Sequence, residues 1–199
     1  LRPPANAPRP TAARLPVRAM LGQIGGYAGF GLGYIVYLTF IAAWMTERDA
    51  GAAQISLAWV LMGTGIVLSP FLWRGLFARF AGGLPLALIL ASVAIGTLLP
   101  LAMPTTAGLL LSAAVVGLAV FQSPAAVTNF SRQNLPPAVW GQAISLFTLV
   151  FAVAQTIGPI GAGLVGDLTG DIGNALIAAA CILLAGALSA ILQRPLKTG

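Results

Sequence analysis

The potential ligand-binding chemistry of this sequence lies on uncharged polar and aromatic side chains within long apolar stretches. The first stretch has five such residues at intervals of three or four: Gln23, Tyr27, Phe30, Tyr34 and Tyr37. Side chains at this spacing share one face of a helix. The face is typical of a mobile helix that lines a substrate cavity. The alternative is a glycine-packed helix with tyrosines at the membrane interface.

A second group of candidates surrounds a proline further along the chain. Its members are Gln122, Pro124, Thr128 and Asn129. A proline inside a helix removes a backbone hydrogen bond and produces a kink, which lipid tolerates where the freed backbone faces protein or a water-filled cavity. We predict that the polar members face the same cavity as the tyrosines. Hydrogen bonding between helices is the alternative.

Glycines mark the places where helices should pack closely or bend. On the first stretch, a glycine face lies beside the tyrosine face and includes Gly22, Gly26, Gly29 and Gly33. Small residues at this spacing let two membrane helices approach closely. In the fifth stretch, Gly158 and Pro159 stand among further glycines, which predicts a hinge or a close helix crossing. A phosphate-binding loop is excluded because no Lys-Ser or Lys-Thr pair directly follows these glycines.

The composition indicates that lipid surrounds most of the chain. Of 199 residues, 58% are hydrophobic and 7% are charged, whereas soluble domains carry about 25% charged residues. This excludes soluble enzymes, nucleic-acid-binding domains and secreted disulfide scaffolds. The sequence has no histidine, and its one cysteine, Cys181, lies in an apolar run. We therefore expect no enzymatic activity, no metal site, no cofactor and no disulfide within the chain.

Charged residues and prolines divide the chain into six apolar stretches, each long enough to cross a bilayer as a helix of about 20 residues. We place the spans at 21–45, 54–73, 84–103, 106–130, 138–166 and 172–193. The stretches are longer than the roughly ten residues of a barrel strand and lack alternating polarity. The predicted fold class is an all-α membrane protein with one six-helix bundle.

The charged residues sort between the two sides of such a bundle. With six spans, both tails and the loops after spans two and four share one side, which holds bases and no acid: Arg2, Arg9, Arg14, Arg18, Arg74, Arg79, Arg132, Arg194 and Lys197. The opposite side holds Glu47, Arg48, Asp49, Asp167 and Asp171. The positive-inside rule therefore predicts two cytoplasmic termini in a bacterial inner membrane. It also explains the net charge of +6 without a nucleic-acid partner.

The two ends of the chain differ from the bundle in composition. Residues 1–19 are rich in proline and arginine and predict a flexible cytoplasmic linker. Residues 20–194 form the predicted transmembrane bundle, and residues 195–199 a cytoplasmic tail. Because the chain begins with Leu1 rather than methionine, we expect the linker to join it to an upstream segment of a longer protein.

A short pattern occurs twice and indicates an internal repeat. Residues 75–82 and 163–170 both read Gly-Leu-apolar-small-charged-apolar-x-Gly. The first copy follows span two and the second closes span five, so the copies fall on opposite sides of the membrane. A three-plus-three inverted repeat places them in this way. Coincidence in a chain rich in glycine, alanine and leucine is the alternative.

Three motifs, taken together, resemble the C-terminal half of a major facilitator superfamily (MFS) transporter, most closely the bacterial YbfB/YjiJ-like subgroup. They are the segment 29–35 (Gly-Phe-Gly-Leu-Gly-Tyr-Ile), the segment 75–83, and the segment 158–163 (Gly-Pro-Ile-Gly-Ala-Gly) with Asp167 and Gly170 beyond it. The similarity covers residues 20–194. One departure is that the segment 75–83 lacks the acid that the family's loop motif usually carries near the position of Arg79.

The resemblance implies a protein of twelve spans in two six-helix bundles, with residues 1–18 in the central linker. It implies that spans one and four line a central cavity, that spans two and five contact the other half, and that spans three and six face lipid. The partners implied are the bilayer, a small-molecule solute, and a second six-helix half that is either upstream in the same polypeptide or a homodimer partner.

Two functions follow as expectations from the sequence. The first is transport of a small organic solute by alternating access, and the second is a non-transporting six-helix scaffold or assembly subunit. The spans carry no acidic residue in their interior, so proton coupling would depend on the other half. An intramembrane enzyme or channel is disfavoured because the chain lacks histidine and the paired Asn-Pro-Ala loops of a water channel.

Overall fold

The computed structural model describes residues 14–196. Seven α-helices make six membrane-crossing segments, which confirms the all-α six-span prediction. The helices are α1 (Leu21–Thr46), α2 (Ala52–Arg79), α3 (Leu84–Ala102), α4 (Thr106–Ala119), α5 (Gln122–Asn134), α6 (Trp140–Thr169) and α7 (Ile172–Ile191). The linker prediction for residues 1–13 and the tail prediction for residues 197–199 lie outside the described residues.

Short polar signals set several helix ends. The Oγ1 of Thr105 accepts a hydrogen bond from the backbone N–H of Gly108 at the start of α4, and the Oδ1 of Asp171 accepts one from Gly173 at the start of α7. Both bonds satisfy a backbone donor that has no partner within its helix. Gly170 ends α6 with a φ of 68°, the left-handed conformation that glycine adopts without steric cost.

Two helices extend beyond the spans that the sequence indicates. Helix α2 continues to Arg79, not 73, and α6 runs from Trp140 to Thr169 rather than from 138 to 166. Residues 75–79 are therefore the last turn of α2, and the loop that follows is short. Arginine side chains are long enough to reach the headgroups from a helical backbone, so charge marks the edge of the hydrocarbon and not the end of the helix.

The fourth span is divided ahead of its proline. Helix α4 ends at Ala119 and α5 begins at Gln122, which places Pro124 in the first turn of α5. A proline is tolerated there because the first-turn N–H groups have no helical partner. The discontinuity expected from Pro124 thus falls one turn before it, at residues 120 and 121.

The order of packing is symmetric between the two halves of the chain. Helix α1 packs between α6 and α7, and α4 packs between α2 and α3, while α3 packs against α7. Exchanging spans one to three with spans four to six maps the two contacts of α1 onto the two contacts of α4 and maps the α3–α7 contact onto itself. Within residues 14–196, the contact between α6 and α7 has no comparable counterpart between α2 and α3. An inverted repeat produces this symmetry. It leaves α2 and α6 at two edges of the bundle.

Candidate functional site

An aromatic cluster joins α1 to α6. The rings of Tyr27, Phe30 and Tyr34 all stack on Phe151, with centroid distances of 5.5 to 5.8 Å, and Phe30 and Tyr34 lie 4.5 Å apart. Phe147 meets Tyr27 edge-on at 5.7 Å. Stacked and edge-to-face pairs of this kind stabilise a contact beyond the burial of their area. The cluster fixes the tyrosine face of α1 against one face of α6.

The polar end of this cluster is the pair Tyr34 and Gln155. The hydroxyl of Tyr34 donates to the Oε1 of Gln155 at 3.0 Å. Tyr34 is 6% exposed, whereas Gln155 is half-buried. The pair therefore lies at the boundary between the α1–α6 interface and the open surface of α6. A solute at this boundary can exchange hydrogen bonds with an amide and a phenol without meeting a charge.

The part of α6 that is not covered by α1 has two distinct faces. One face, within about 100° of arc, carries small and polar residues: Ser145, Thr148, Ala152, Gln155, Thr156 and Pro159. The adjoining face carries large apolar residues that are each more than half exposed: Leu149, Val153, Ile157, Ile160 and Leu164. Lipid suits the second face, and a polar cavity or a partner helix suits the first.

The amides of the fourth span contact α2 instead of the tyrosines. The Nε2 of Gln122 donates to the Oγ of Ser69 at 2.6 Å, and the Nδ2 of Asn129 donates to the carbonyl of Phe77 at 3.1 Å. Thr128, which precedes Asn129 in the chain, is half-buried. Among the described residues, no hydrogen bond or ring contact links this group to Tyr27 or Tyr34. The structure thus places the two candidate groups at different helix interfaces.

Gln23 belongs to a third location, at the start of α1. It is 1% exposed, and its backbone N–H donates to the Oε1 of Gln193 at 3.1 Å. Its own Oε1 is buried without a hydrogen-bond partner among the described residues. Gln23 is therefore part of the contact between the first turn of α1 and the segment after α7.

The glycine face of α1 packs against α7. A Cβ at Gly29 would lie 2.8 Å from the Cα of Gly186, and one at Gly26 would lie 2.8 Å from the Cβ of Ala190. A Cβ at Gly22 would meet Ser189 of α7, and a Cβ at Gly33 would meet Leu183 of α7. At Gly29 and Gly186 no side chain separates the two backbones, so α1 and α7 approach there more closely than larger residues would allow.

The glycine and proline of the fifth span lie against α1. A Cβ at Gly158 would collide with the backbone carbonyl of Leu32, and Pro159 follows within the continuous helix α6. Gly158 therefore provides a close crossing between α6 and α1, directly beyond the aromatic cluster. The residues that position the Tyr34–Gln155 pair are thus small ones on both helices.

The four acidic residues gather at the end of the bundle formed by the loops after α1 and α6. In the described part of the chain, the one ion pair is there, between Arg48 and Asp171 at 4.0 Å. The guanidinium of Arg48 also lies 4.1 Å from the centre of the Trp44 ring, a cation–π contact. No group of three His, Cys, Asp or Glu side chains within residues 14–196 is placed to hold a metal ion.

Several residues of these contacts were absent from the sequence-based candidates, above all Gln155, Phe147 and Phe151 on α6 and Ser69 on α2. Phe147, Phe151 and Gln155 recur at intervals of four, which is a helical-face signal. The spacing alone does not show that this face of α6 packs against the tyrosines of α1, because that contact depends on how the helices are arranged.

A bundle of six apolar helices, with uncharged polar groups at its helix interfaces, defines a multi-pass α-helical membrane protein. The family described as "uncharacterised MFS-type transporter YbfB" matches residues 2–191, so the chain belongs to this family of major facilitator superfamily transporters. Members of that superfamily are normally transporters and not enzymes, and transmembrane transport is the function that the family assigns in general. No curated protein and no solved structure matches the chain.

Proposed function

We propose that this chain is the C-terminal half of a secondary transporter that moves a small organic solute by alternating access. In this proposal, a second six-helix half lies upstream in the same polypeptide, or a second copy takes its place. The Tyr34–Gln155 hydrogen bond carries the proposal, because it places two uncharged polar groups where α1 meets the exposed polar face of α6.

The exposed surfaces of α2 and α6 support a partner bundle. In the most apolar stretch of each of these helices, 22% of residues are buried, against 44–56% in the other four spans. A helix at the edge of one bundle becomes an interior helix when a second bundle packs against it. We propose that the small and polar face of α6 contacts the second half and lines the cavity between the halves. The neighbouring face, with its branched apolar side chains, suits lipid.

The chemistry of the site supports an uncharged or weakly polar organic solute. The described spans carry no acid in their interior, so a strongly charged solute would find no counter-ion in this half. Tyr34 and Gln155 supply hydrogen bonds, while Phe151, half-buried beside them, supplies an aromatic surface. Rocking of one bundle against the other would expose this surface first to one side of the membrane and then to the other.

The distribution of charge supports the orientation. In the described residues, Arg14, Arg18, Arg74, Arg79, Arg132 and Arg194 share one end of the bundle, and the acids share the other. The positive-inside rule then assigns a cytoplasmic location to the linker of residues 1–19 and to the tail of residues 195–199, in a bacterial inner membrane.

The experiment compares this chain alone with the complete natural reading frame, both purified and reconstituted. A panel of organic solutes is first screened for those that raise the melting temperature, since a ligand that binds the folded state stabilises it. Each such solute is then tested for counterflow in proteoliposomes. We expect counterflow with the complete protein, and a decrease of about tenfold or more in the Gln155→Ala variant.

Two results would contradict the proposal. If the complete protein binds no solute and supports no counterflow with the panel, the scaffold or assembly role replaces transport. If Gln155→Ala transports as well as the unchanged protein while Leu149→Ala, on the apolar face of α6, does not, the cavity has been assigned to the wrong face.

A further inference from the structure

A groove of about 480 Å³ lies where residues 192–196, after α7, meet the short 3-10 helix Val17–Met20, before α1. Arg18, on the turn before α1, and Arg194, after α7, both line it. We propose that this groove binds the headgroup of an anionic phospholipid such as phosphatidylglycerol. The proposal concerns neither the transported solute nor the α6 face.

Both arginines are available to an anion. They are exposed, and no acidic residue lines the groove. Within residues 14–196, the one ion pair joins Arg48 and Asp171 at the opposite end of the bundle. Two uncompensated guanidinium groups around one groove suit a phosphate, which guanidinium binds through paired hydrogen bonds.

The groove has a fixed shape because Gln193 ties its two sides together. The Nε2 of Gln193 donates to the carbonyls of Ala19 and Arg194, each at 2.9 Å, and its Oε1 accepts from the backbone N–H of Gln23 at 3.1 Å. The backbone carbonyl of Gln193 accepts a hydrogen bond from the backbone N–H of Gly83 at 2.8 Å. The amide therefore fixes the backbone beside each arginine.

Tight packing at the floor of the groove also helps to fix its shape. Gly22 lines the groove, and a Cβ there would lie 2.9 Å from the carbonyl of Ser189 and 3.0 Å from the Cβ of Gln193. The Oγ of Ser189 donates to the carbonyl of Gly22 at 3.2 Å. The floor is thus uncharged and closely packed, so the arginines carry the polarity of the site.

Apolar side chains beside the groove indicate a lipid as the source of the phosphate. Leu21 and Leu192 line the groove, and each is more than half exposed. A free phosphate would leave these side chains without a partner, whereas the acyl chains of a phospholipid would cover them. A basic pocket between transmembrane helices at the membrane boundary is a recognised setting for anionic lipid headgroups.

The groove lies at the start of α1 and the end of α7, together with the residues just outside these helices, whereas α2 and α6 are the helices that we propose to contact the second half. Occupation by a lipid therefore does not compete with the proposed assembly. It also does not depend on the transport proposal or on the orientation, because lipid binding can be measured on the purified protein.

The test is native mass spectrometry of the complete protein with dioleoyl phosphatidylglycerol and, separately, dioleoyl phosphatidylcholine. We expect one phosphatidylglycerol to bind more tightly than the rest, and the double variant Arg18→Gln with Arg194→Gln to weaken that site by about thirtyfold, as expected when two basic groups are lost from an anionic-lipid site. The double lysine variant keeps both charges but loses the paired guanidinium hydrogen bonds, so its affinity should fall between those of the unchanged protein and the double glutamine variant.

Arg74→Gln is the matched control, because Arg74 is exposed at the same end of the bundle and does not line the groove. It should leave the tight site unchanged. The proposal is overturned if the double glutamine variant binds phosphatidylglycerol as the unchanged protein does, if Arg74→Gln weakens binding equally, or if phosphatidylcholine binds as tightly. It is also overturned if soluble glycerol phosphate displaces the lipid at equal concentration, since the apolar rim would then contribute nothing.

Discussion

The hydroxyl of Tyr34 donates to the Oε1 of Gln155 at 3.0 Å, although 121 residues separate the two in the chain. The bond connects a buried helix face to an exposed one. It forms because the stacked rings around Tyr34 hold α1 against α6, and because Gly158 lets the two backbones cross closely nearby. A solute that takes the place of either partner would change the contact between these two helices.

The first prediction concerns the hydroxyl of Tyr34. Tyr34→Phe keeps the ring against Phe30 and removes the donor to Gln155, so the melting temperature should change little, since such bonds in membranes are worth about 0.6 kcal/mol. Solute binding should weaken about tenfold, which lowers the stabilisation at saturating solute by about 1.4 kcal/mol. Thermal unfolding with and without the solute measures both quantities.

Tyr37→Phe is the control for this prediction. The hydroxyl of Tyr37 lies 2.8 Å from the Oγ of Ser112, in the contact with α4, and Tyr37 is 1% exposed. This variant should lose about as much stability as Tyr34→Phe while keeping the full stabilisation by solute. Equal loss of solute binding in both variants would remove the special role assigned to Tyr34.

The second prediction concerns the contact between α1 and α7. Gly29→Ala places a Cβ 2.8 Å from the Cα of Gly186, and backbone cannot move aside as a flexible side chain can. Overpacking of this kind costs about 1–3 kcal/mol, so the melting temperature in detergent should fall by several degrees. Gly161→Ala is the control, because a Cβ at Gly161 meets nothing within 4 Å. A stable Gly29→Ala protein would mean that the two helices are farther apart.

The number of spans follows from the sequence alone, because an apolar stretch in lipid must satisfy its backbone internally and therefore forms a helix. The exact helix ends do not follow in the same way. Arg74 and Arg79 suggest an early end to span two, yet α2 continues through both to Arg79. Backbone hydrogen bonds determine where the helix ends, whereas a long arginine side chain can reach the headgroups from within the helix. The end of the helix and the edge of the hydrocarbon therefore fall at different residues.

The candidate site was less accessible to sequence analysis for a related reason. Periodicity identifies the tyrosine face of α1, because the residues that form it are close in sequence. It does not identify the helix that covers the face, since the choice of α6 depends on packing among all six spans. Gln122 illustrates the same point: its spacing and polarity are equally compatible with a substrate ligand and with its contact to Ser69 on α2.

The third prediction separates these two roles of Gln122. If the bond to the Oγ of Ser69 is its main interaction, a double-mutant cycle of Gln122→Ala and Ser69→Ala should give a coupling energy of about 0.6–1.7 kcal/mol. Each single variant should leave solute binding unchanged. Thermal or denaturant unfolding in detergent supplies the four stabilities. A coupling near zero, together with loss of solute binding in Gln122→Ala, would instead assign Gln122 to the substrate.

The fourth prediction concerns orientation. In a protein that carries Cys181→Ala, because Cys181 is exposed, single cysteines are introduced by Arg79→Cys and Asp167→Cys, both at exposed positions. A membrane-impermeant maleimide applied to intact cells, with the outer membrane permeabilised, should label Asp167→Cys and leave Arg79→Cys unlabelled. Inside-out vesicles should give the reverse pattern. The physical reason is that the membrane potential and the anionic cytoplasmic leaflet both retain basic loops on the inner side. Labelling of Arg79→Cys in intact cells would invert the orientation and place the groove between Arg18 and Arg194 in the outer leaflet of the membrane.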